Sequence, residues 1–363
     1  MNARKLVWLL IPIPLFCAGF ETGVVAGSDG GAHQTNAYPV IARMTNGTLV
    51  TAFSISAKGN PDSYLAASLS SDNGKTWQTP VKVLDTPGML DADPSILWDG
   101  HKLFVYSTSV KVGRKTIDDS HTMYATSDDG KNWSEEKEIT LPFRYVVGKR
   151  HMVVTLLDGS YAMPFAWDIW AQRGTPARTE GEMDLMSGVL KSNDGVHWRA
   201  FGYIHAVYPK VTPYSTSGLC EPAVVELSNG ELLMLARTGS NFLYESRSLD
   251  NGVTWSKAKR SPLMGHNTPA ALWRLQDRPK EIIAIWDNSP LKRYPLSVAI
   301  SADGGKTWSA PRNVATSDGP QVSYPNITQA ADGELVAVWQ AQRSDGGRDV
   351  RWARFTRDWV LGQ

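Results

Sequence analysis

Cysteine is almost missing from this chain: only Cys17 and Cys220 occur in 363 residues. Cys17 falls in an N-terminal apolar stretch, and the single thiol left without that stretch makes no intramolecular disulfide. Stability must therefore come from a core and from closure of the fold. Charge of one sign is missing too. The 37 basic and 36 acidic residues are interspersed and leave a net charge of +1, so no basic stripe exists for a nucleic-acid partner. No spacing of His, Cys, Asp and Glu matches a zinc or calcium site, and no metal or cofactor is expected. Long apolar runs are limited to one. Leu6 to Phe20, behind Arg4 and Lys5, is broken by Pro12 and Pro14 and is too short for a membrane span of about 20 residues. It reads as the core of a signal peptide within residues 1–26, cut after Gly19 or Ala26. The bulky Phe16 ahead of Cys17 argues against a lipoprotein. A secreted or periplasmic location and one mature domain, 27–363, are expected, with no stable membrane span and a monomeric state.

What is present is a globular composition, 42% apolar and 20% charged, and an internal repeat. Tyr38-Pro39 before Asn46-Gly47, Glu221-Pro222 before Asn229-Gly230, and Tyr324-Pro325 before Asp332-Gly333 share one register. Arg150-His151 before Asp158-Gly159 matches without the proline. Asp93-Pro94 before Asp99-Gly100 and Thr268-Pro269 before Asp277 are looser copies. An apolar β-branched run, a tight Asn-Gly or Asp-Gly turn and a second apolar run predict a β-hairpin in each of six units.

A third strand, such as Tyr64 to Ser70 or Leu296 to Ser301, then runs into a turn of pattern Ser-x-Asp-x-Gly-x-Thr-Trp. Copies lie at Ser70–Trp77, Thr126–Trp133, Ser248–Trp255 and Ser301–Trp308, with a degenerate one at Lys191–Trp198. In such a turn an aspartate accepts backbone N–H bonds, a glycine supplies positive φ, and a tryptophan packs inward. It is a structural device. The repetition predicts an all-β, six-bladed β-propeller of four-stranded antiparallel blades. The sixth unit lacks the turn; its third strand is expected at Val350 to Phe355, its outer strand from the mature N-terminus or the last residues.

These Asp boxes resemble those of the sialidase superfamily over nearly the whole mature chain. Fold alone does not establish activity, so the site has to be read separately. Inner strands surround the axis of a propeller, which directs Tyr38, Asp93, Arg150, Glu221, Thr268 and Tyr324 at a common cavity. Ser54, Arg237, Asn288 and Gln340 lie near the ends of the second strands, whereas Arg43 reads as an outward strand residue. Glu221 and Arg237 close the two ends of one hairpin and could lie side by side, as a structural ion pair or as a functional one.

The resemblance implies roles for this set. Glu221 and Arg237 are similar to the sialidase pairing of catalytic glutamate and substrate-binding arginine. Arg293, or else Lys292, stands where a further carboxylate-binding cation is placed, and Tyr324 where the nucleophile is, although proline follows it here. Asp62 lies in the loop of the acid/base aspartate, with Asp93 and Asp91 as rivals. The chemistry is coherent: arginine forks bind the carboxylate of an acidic sugar. A neutral tyrosine avoids the repulsion a carboxylate nucleophile would meet, and Glu221 takes its proton. One departure concerns the first blade, where sialidases carry an arginine and this chain has Ala37-Tyr38; Arg150 could substitute. The expected activity is exo-glycosidic release of terminal sialic acid or a related acidic sugar from a glycan. The alternatives are a lyase or glycosidase for uronic-acid or other glycans, with Tyr324, His151 or His266 as base, and a non-catalytic glycan-binding propeller.

Overall fold

A computed structural model describes residues 19–28, 35–57, 62–112, 120–141, 153–169, 183–316 and 319–363. Arg150 and His151 lie outside the described residues. The chain is all-β, apart from one short helix at Arg357–Leu361 capped by Thr356.

Strands run as antiparallel meanders that follow the sequence repeat. The fourth unit is Cys220–Glu226, Leu232–Arg237, Phe242–Ser248 and Lys259–Met264 in that spatial order, and the fifth is Ala270–Arg274, Ile282–Asp287, Leu296–Ser301 and Arg312–Ala315. The first, second and sixth units share one sheet only through isolated parallel pairs, Thr35 with Arg348 and Ser63 with Leu90. In the sixth unit the third strand is Arg348–Phe355, and its outer neighbour is the N-terminal strand Phe20–Ala26, with Phe20 opposite Phe355. The last residues form the helix instead.

The core lies between units. Val298, Ile300, Ile327 and Trp339 of the fifth and sixth units pack in one cluster, and Val50, Leu65, Ile96 and Val105 of the first and second in another. Each cluster joins the inner strands of one sheet to those of the next, which is where alternating β-branched and aliphatic side chains find apolar surface on both faces.

The Asp boxes fasten this arrangement. Ser70 donates to Asp72 Oδ1 at 2.7 Å, the Gly74 N–H donates to Ser70 Oγ at 2.9 Å, and Thr76 donates from backbone and hydroxyl to the two Asp72 oxygens at 3.0 and 2.6 Å. Two boxes use a different frame from the one the sequence suggests. Asp129, not Asp128, accepts from Ser127 and Asn132, and Asp194, not Asn193, accepts from Ser192. The reason is one residue of length. The longer boxes place two successive residues at positive φ, Asn73-Gly74, Asn251-Gly252 and Gly304-Gly305, whereas the shorter ones need only Gly130 or Gly195.

Each box glycine also faces the preceding unit. A Cβ on Gly130 would meet Leu69, on Gly195 Tyr106 and Phe104, on Gly252 Val189, and on Gly305 Leu233. Gly74 of the first box faces Val336 of the sixth unit.

Candidate functional site

A β-bulge opens most of the inner strands. Register slips by one residue between Ala37 and Val40, Ala92 and Ser95, Cys220 and Ala223, and Ser323 and Asn326. The residue before proline is the displaced one, and Tyr38, Asp93, Glu221 and Tyr324 take positive φ of 57°, 51°, 41° and 54°. Proline has no N–H to lose from the ladder, so the bulge costs few strand bonds and turns a large polar side chain out of the pleat.

The fifth unit departs from the expected register. Its positive φ, 49°, falls on Asn267, one residue ahead of Thr268. Thr268 instead turns inward and donates its hydroxyl to the Asp287 carboxylate. The second strand of that unit ends on Asp287, not Asn288. Asp287 is fully buried, and burial pushes its carboxyl up to about 7, against the Thr268 hydrogen bond and the Arg293 charge.

Around these strand openings the polar groups gather. Arg237 Nη1 donates to Glu221 Oε2 at 2.9 Å, with both side chains almost completely buried. Arg237 also donates to Asn267 Oδ1 from Nε at 3.0 Å and from Nη2 at 2.8 Å, and to Thr216 Oγ1 at 3.3 Å. Arg293 donates from Nη2 to the Asn267 carbonyl at 2.7 Å, and from Nη1 to Tyr324 Oη and Gln321 Oε1, both at 3.4 Å. Burial works against the Arg293 charge, yet the neighbouring Tyr324 oxygen and the Glu221 and Asp287 carboxylates outweigh it and raise its pKa. Lys292 is exposed, with its ammonium 5.1 Å from the Tyr294 ring centre.

Tyr38 stands edge-on to the Tyr324 ring, centroids 4.9 Å apart, and its N–H donates to Gln340 Oε1 at 3.1 Å. Ser54 does not face this group; its hydroxyl donates to the Asp91 carbonyl. Asp91 is buried and bonded by Ser107, Ser109 and the Thr86 N–H, and burial pushes its carboxyl up to about 6. Those bonds give it a structural place. Asp93 is nearly buried at its bulge, while Asp62 is exposed just ahead of the third strand of the first unit. His266 bonds the Ser240 carbonyl through Nδ1 at 3.2 Å. A carbonyl only accepts, so Nδ1 carries the proton and Nε2 the lone pair. Burial, together with the Arg293 and Arg237 charges, lowers its pKa.

Three contributors escaped the sequence reading: Asn267, Thr216 and Gln321. For Asn267 a signal exists, since asparagine tolerates positive φ better than other non-glycine residues and precedes Thr-Pro. Thr216 and Gln321 carry none, because their places depend on loop paths.

The opposite end of the same strands is different in kind. A cavity of about 820 Å3 is lined by Arg43, Trp98, Glu226, Trp273, Arg274 and Gln276, among others. Six residues separate the start of the strand at Cys220 from Glu226, or roughly 17–20 Å at strand spacing, so this cavity and the tyrosine-arginine group are distinct. Arg43 does not point outward as expected; it lines this cavity and donates to Gln276 Oε1 at 2.5 Å.

A chain built by repeating one Asp-box meander, with its polar side chains collected at the inner strand openings, is the class this architecture defines. Within it, the chain belongs to the family of the BNR repeat-like domain, which matches residues 48–338, and through it to the sialidase superfamily. A sialidase of Bacteroides fragilis is 24% identical over 356 residues, covering 86% of this chain and 60% of the relative. The chain thus spans about three fifths of that protein's length. Among solved structures, a protein of unknown function from Dyadobacter fermentans matches with a TM-score of 0.71 at 18% identity, covering 93% of this chain and 99% of the other. The intramolecular trans-sialidase from Ruminococcus gnavus, solved with oseltamivir carboxylate, matches at 0.69 and 15% identity, covering 94% and 98%. These structural likenesses speak for the fold.

Proposed function

We propose that this chain is an exported exo-glycosidase that releases a terminal acidic sugar, most simply sialic acid, from a glycan on a closed six-bladed propeller. The observation that carries the activity is the convergence of the buried Glu221–Arg237 pair with Arg293 and Tyr324. Arg293 supplies a cationic fork for the sugar carboxylate and Arg237 a second positive charge beside it. Tyr324 Oη forms the bond to the anomeric carbon as the glycosidic C–O bond breaks, Glu221 takes the phenolic proton, and Asp62 protonates the departing oxygen. Water then displaces the tyrosine: Asp62 takes the water's proton and Glu221 returns its own to Tyr324, with net retention. Asp93 and Tyr38 line the sugar, and Arg150 is the further cation. Support for six closed blades comes from the one-unit-back contact of every box glycine, including Gly74 on the sixth unit, and from the N-terminal strand completing that unit. Support from relatives is the sialidase of B. fragilis.

One observation favours a second reading. His266, neutral and with Nε2 as its base nitrogen beside both arginines, has the makings of the base that removes a proton next to a uronic-acid carboxylate in β-elimination.

A single assay separates the two. The mature protein, Tyr324→Phe and Glu221→Gln are incubated with a fluorogenic α-sialoside and, separately, with a uronic-acid polymer. Aglycone release lost in both variants is the expected result. Unsaturated uronic products that survive Tyr324→Phe and vanish in His266→Ala would establish elimination instead, and binding without turnover would leave a lectin.

A further inference from the structure

The point where the two arginines meet is one asparagine. Asn267 Oδ1 accepts from Arg237 Nε and Nη2 at 3.0 and 2.8 Å and from the Thr216 hydroxyl at 2.9 Å, and its carbonyl accepts from Arg293 Nη2 at 2.7 Å. Guanidinium groups only donate, so they fix which arm of the amide is oxygen. The other arm, Nδ2, carries two N–H groups, and it has no hydrogen-bond partner among the described residues. Asn267 is half-buried, held at a φ of 49° by its N–H bond to the Thr238 carbonyl at 3.0 Å. On Arg293, Nε and the second Nη2 hydrogen likewise have no bond among the described residues.

We propose that Asn267 is a substrate-binding residue: its Nδ2 group donates to the carboxylate held by Arg293, while its oxygen fixes Arg237 beside it. This deepens the proposed function and rests on it. A carboxylate has two oxygens with about four acceptor sites, more than one guanidinium fork fills, and a neutral amide donor adds a bond without adding charge to a site that already holds two cations. A neutral donor also leaves the cations free to assist Tyr324. A residue that merely braced Arg237 would need only the oxygen.

Asn267→Asp keeps an oxygen for Arg237 and removes the N–H donors, and an uncharged ligand isolates the lost donor from the repulsion that the new charge exerts on a carboxylate. Calorimetric titration of wild type, Asn267→Asp and Asn267→Gly with a 2,3-unsaturated sialic acid, and with its methyl ester, reads the difference; glycine accepts the positive φ without strain. The expected result is at least a tenfold loss of affinity for the acid in Asn267→Asp, at least a threefold loss for the uncharged ester, whose carbonyl also accepts from Nδ2, and an unchanged melting temperature. Asn267→Gly should lose both affinity and melting temperature. Affinity for the ester equal to wild type in Asn267→Asp, whatever happens to the acid, would overturn the donor role and leave a brace. If wild type binds neither compound, the acidic-sugar reading falls and the donor role with it, which is a different outcome from the loss of one variant.

Discussion

Glu221 and Arg237 illustrate how much a single pair can decide. Both are buried, and each is the other's charge partner at 2.9 Å. Removing one side of such a pair strands a buried charge at a cost of about 3–5 kcal/mol. Glu221→Ala should therefore lower unfolding stability by an amount of that order, read as a shift in urea midpoint. Glu221→Gln, which keeps an acceptor for Nη1 but leaves the Arg237 charge uncompensated, should lose activity with a smaller shift that is still clearly measurable. Tyr38, Asp93, Glu221 and Tyr324 were legible for a physical reason: each precedes a proline, which takes itself out of the ladder and leaves its neighbour to bulge. Left-handed φ at Tyr38, Asp93, Glu221 and Tyr324 costs about 1–3 kcal/mol each. A strain repeated at four related places fits the roles proposed for those side chains. Asn267 was missed because the fifth unit shifts by one position, and a hairpin register read from proline alone follows Thr268.

At the scale of one turn, the Asp boxes make the acid limit of the fold. Hydrogen bonds from the Thr307 side chain and backbone hold Asp303 down to about 2, and Asp250, Asp129 and Asp194 are lowered as well. A carboxyl depressed in the folded state contributes stability above its unfolded pKa of about 4 and loses it as pH falls through the folded value. Melting temperature should thus drop between about pH 4 and pH 2, and Asp303→Asn should flatten that drop. The box glycines allow a sharper test. Gly230, in a hairpin turn at φ 83°, has open space where a Cβ would go, whereas a Cβ on Gly252 would lie 2.6 Å from Val189. Gly230→Ala should cost about 1–2 kcal/mol for its left-handed backbone alone, and Gly252→Ala clearly more, by thermal unfolding. The spacing of serine, aspartate and tryptophan revealed where the boxes are; the count of positive-φ residues that sets their frame was not readable where Asp128-Asp129 and Asn193-Asp194 offer two candidates.

For the whole molecule, the all-β meander came through in the sequence because most hairpins repeat the same turn chemistry, while the outer strand of the last unit stayed open between the N-terminus and the last residues, since pairing across the length of a chain leaves no local trace. The N-terminal strand answers that question and bears on export. Cleavage after Gly19 would leave Phe20–Ala26 to pair with Arg348–Phe355, and cleavage after Ala26 would remove it. On the proposed export, N-terminal sequencing of the secreted protein should begin at Phe20. A version starting at Gly27 should melt at lower temperature, having lost the Phe20 stack on Trp359, centroids 4.6 Å apart, along with a row of strand bonds.

That pairing also sets a timetable. Phe20–Ala26 leaves a ribosome or a translocation pore long before its partner Arg348–Phe355, so it must wait, unpaired, until that strand follows. A contact of such sequence separation forms late and slowly. Emergence of Arg348–Phe355, rather than any event before it, is then the step that lets this fold close on its first strand, and a chain cut ahead of that segment would carry an exposed strand edge that invites association with its neighbours.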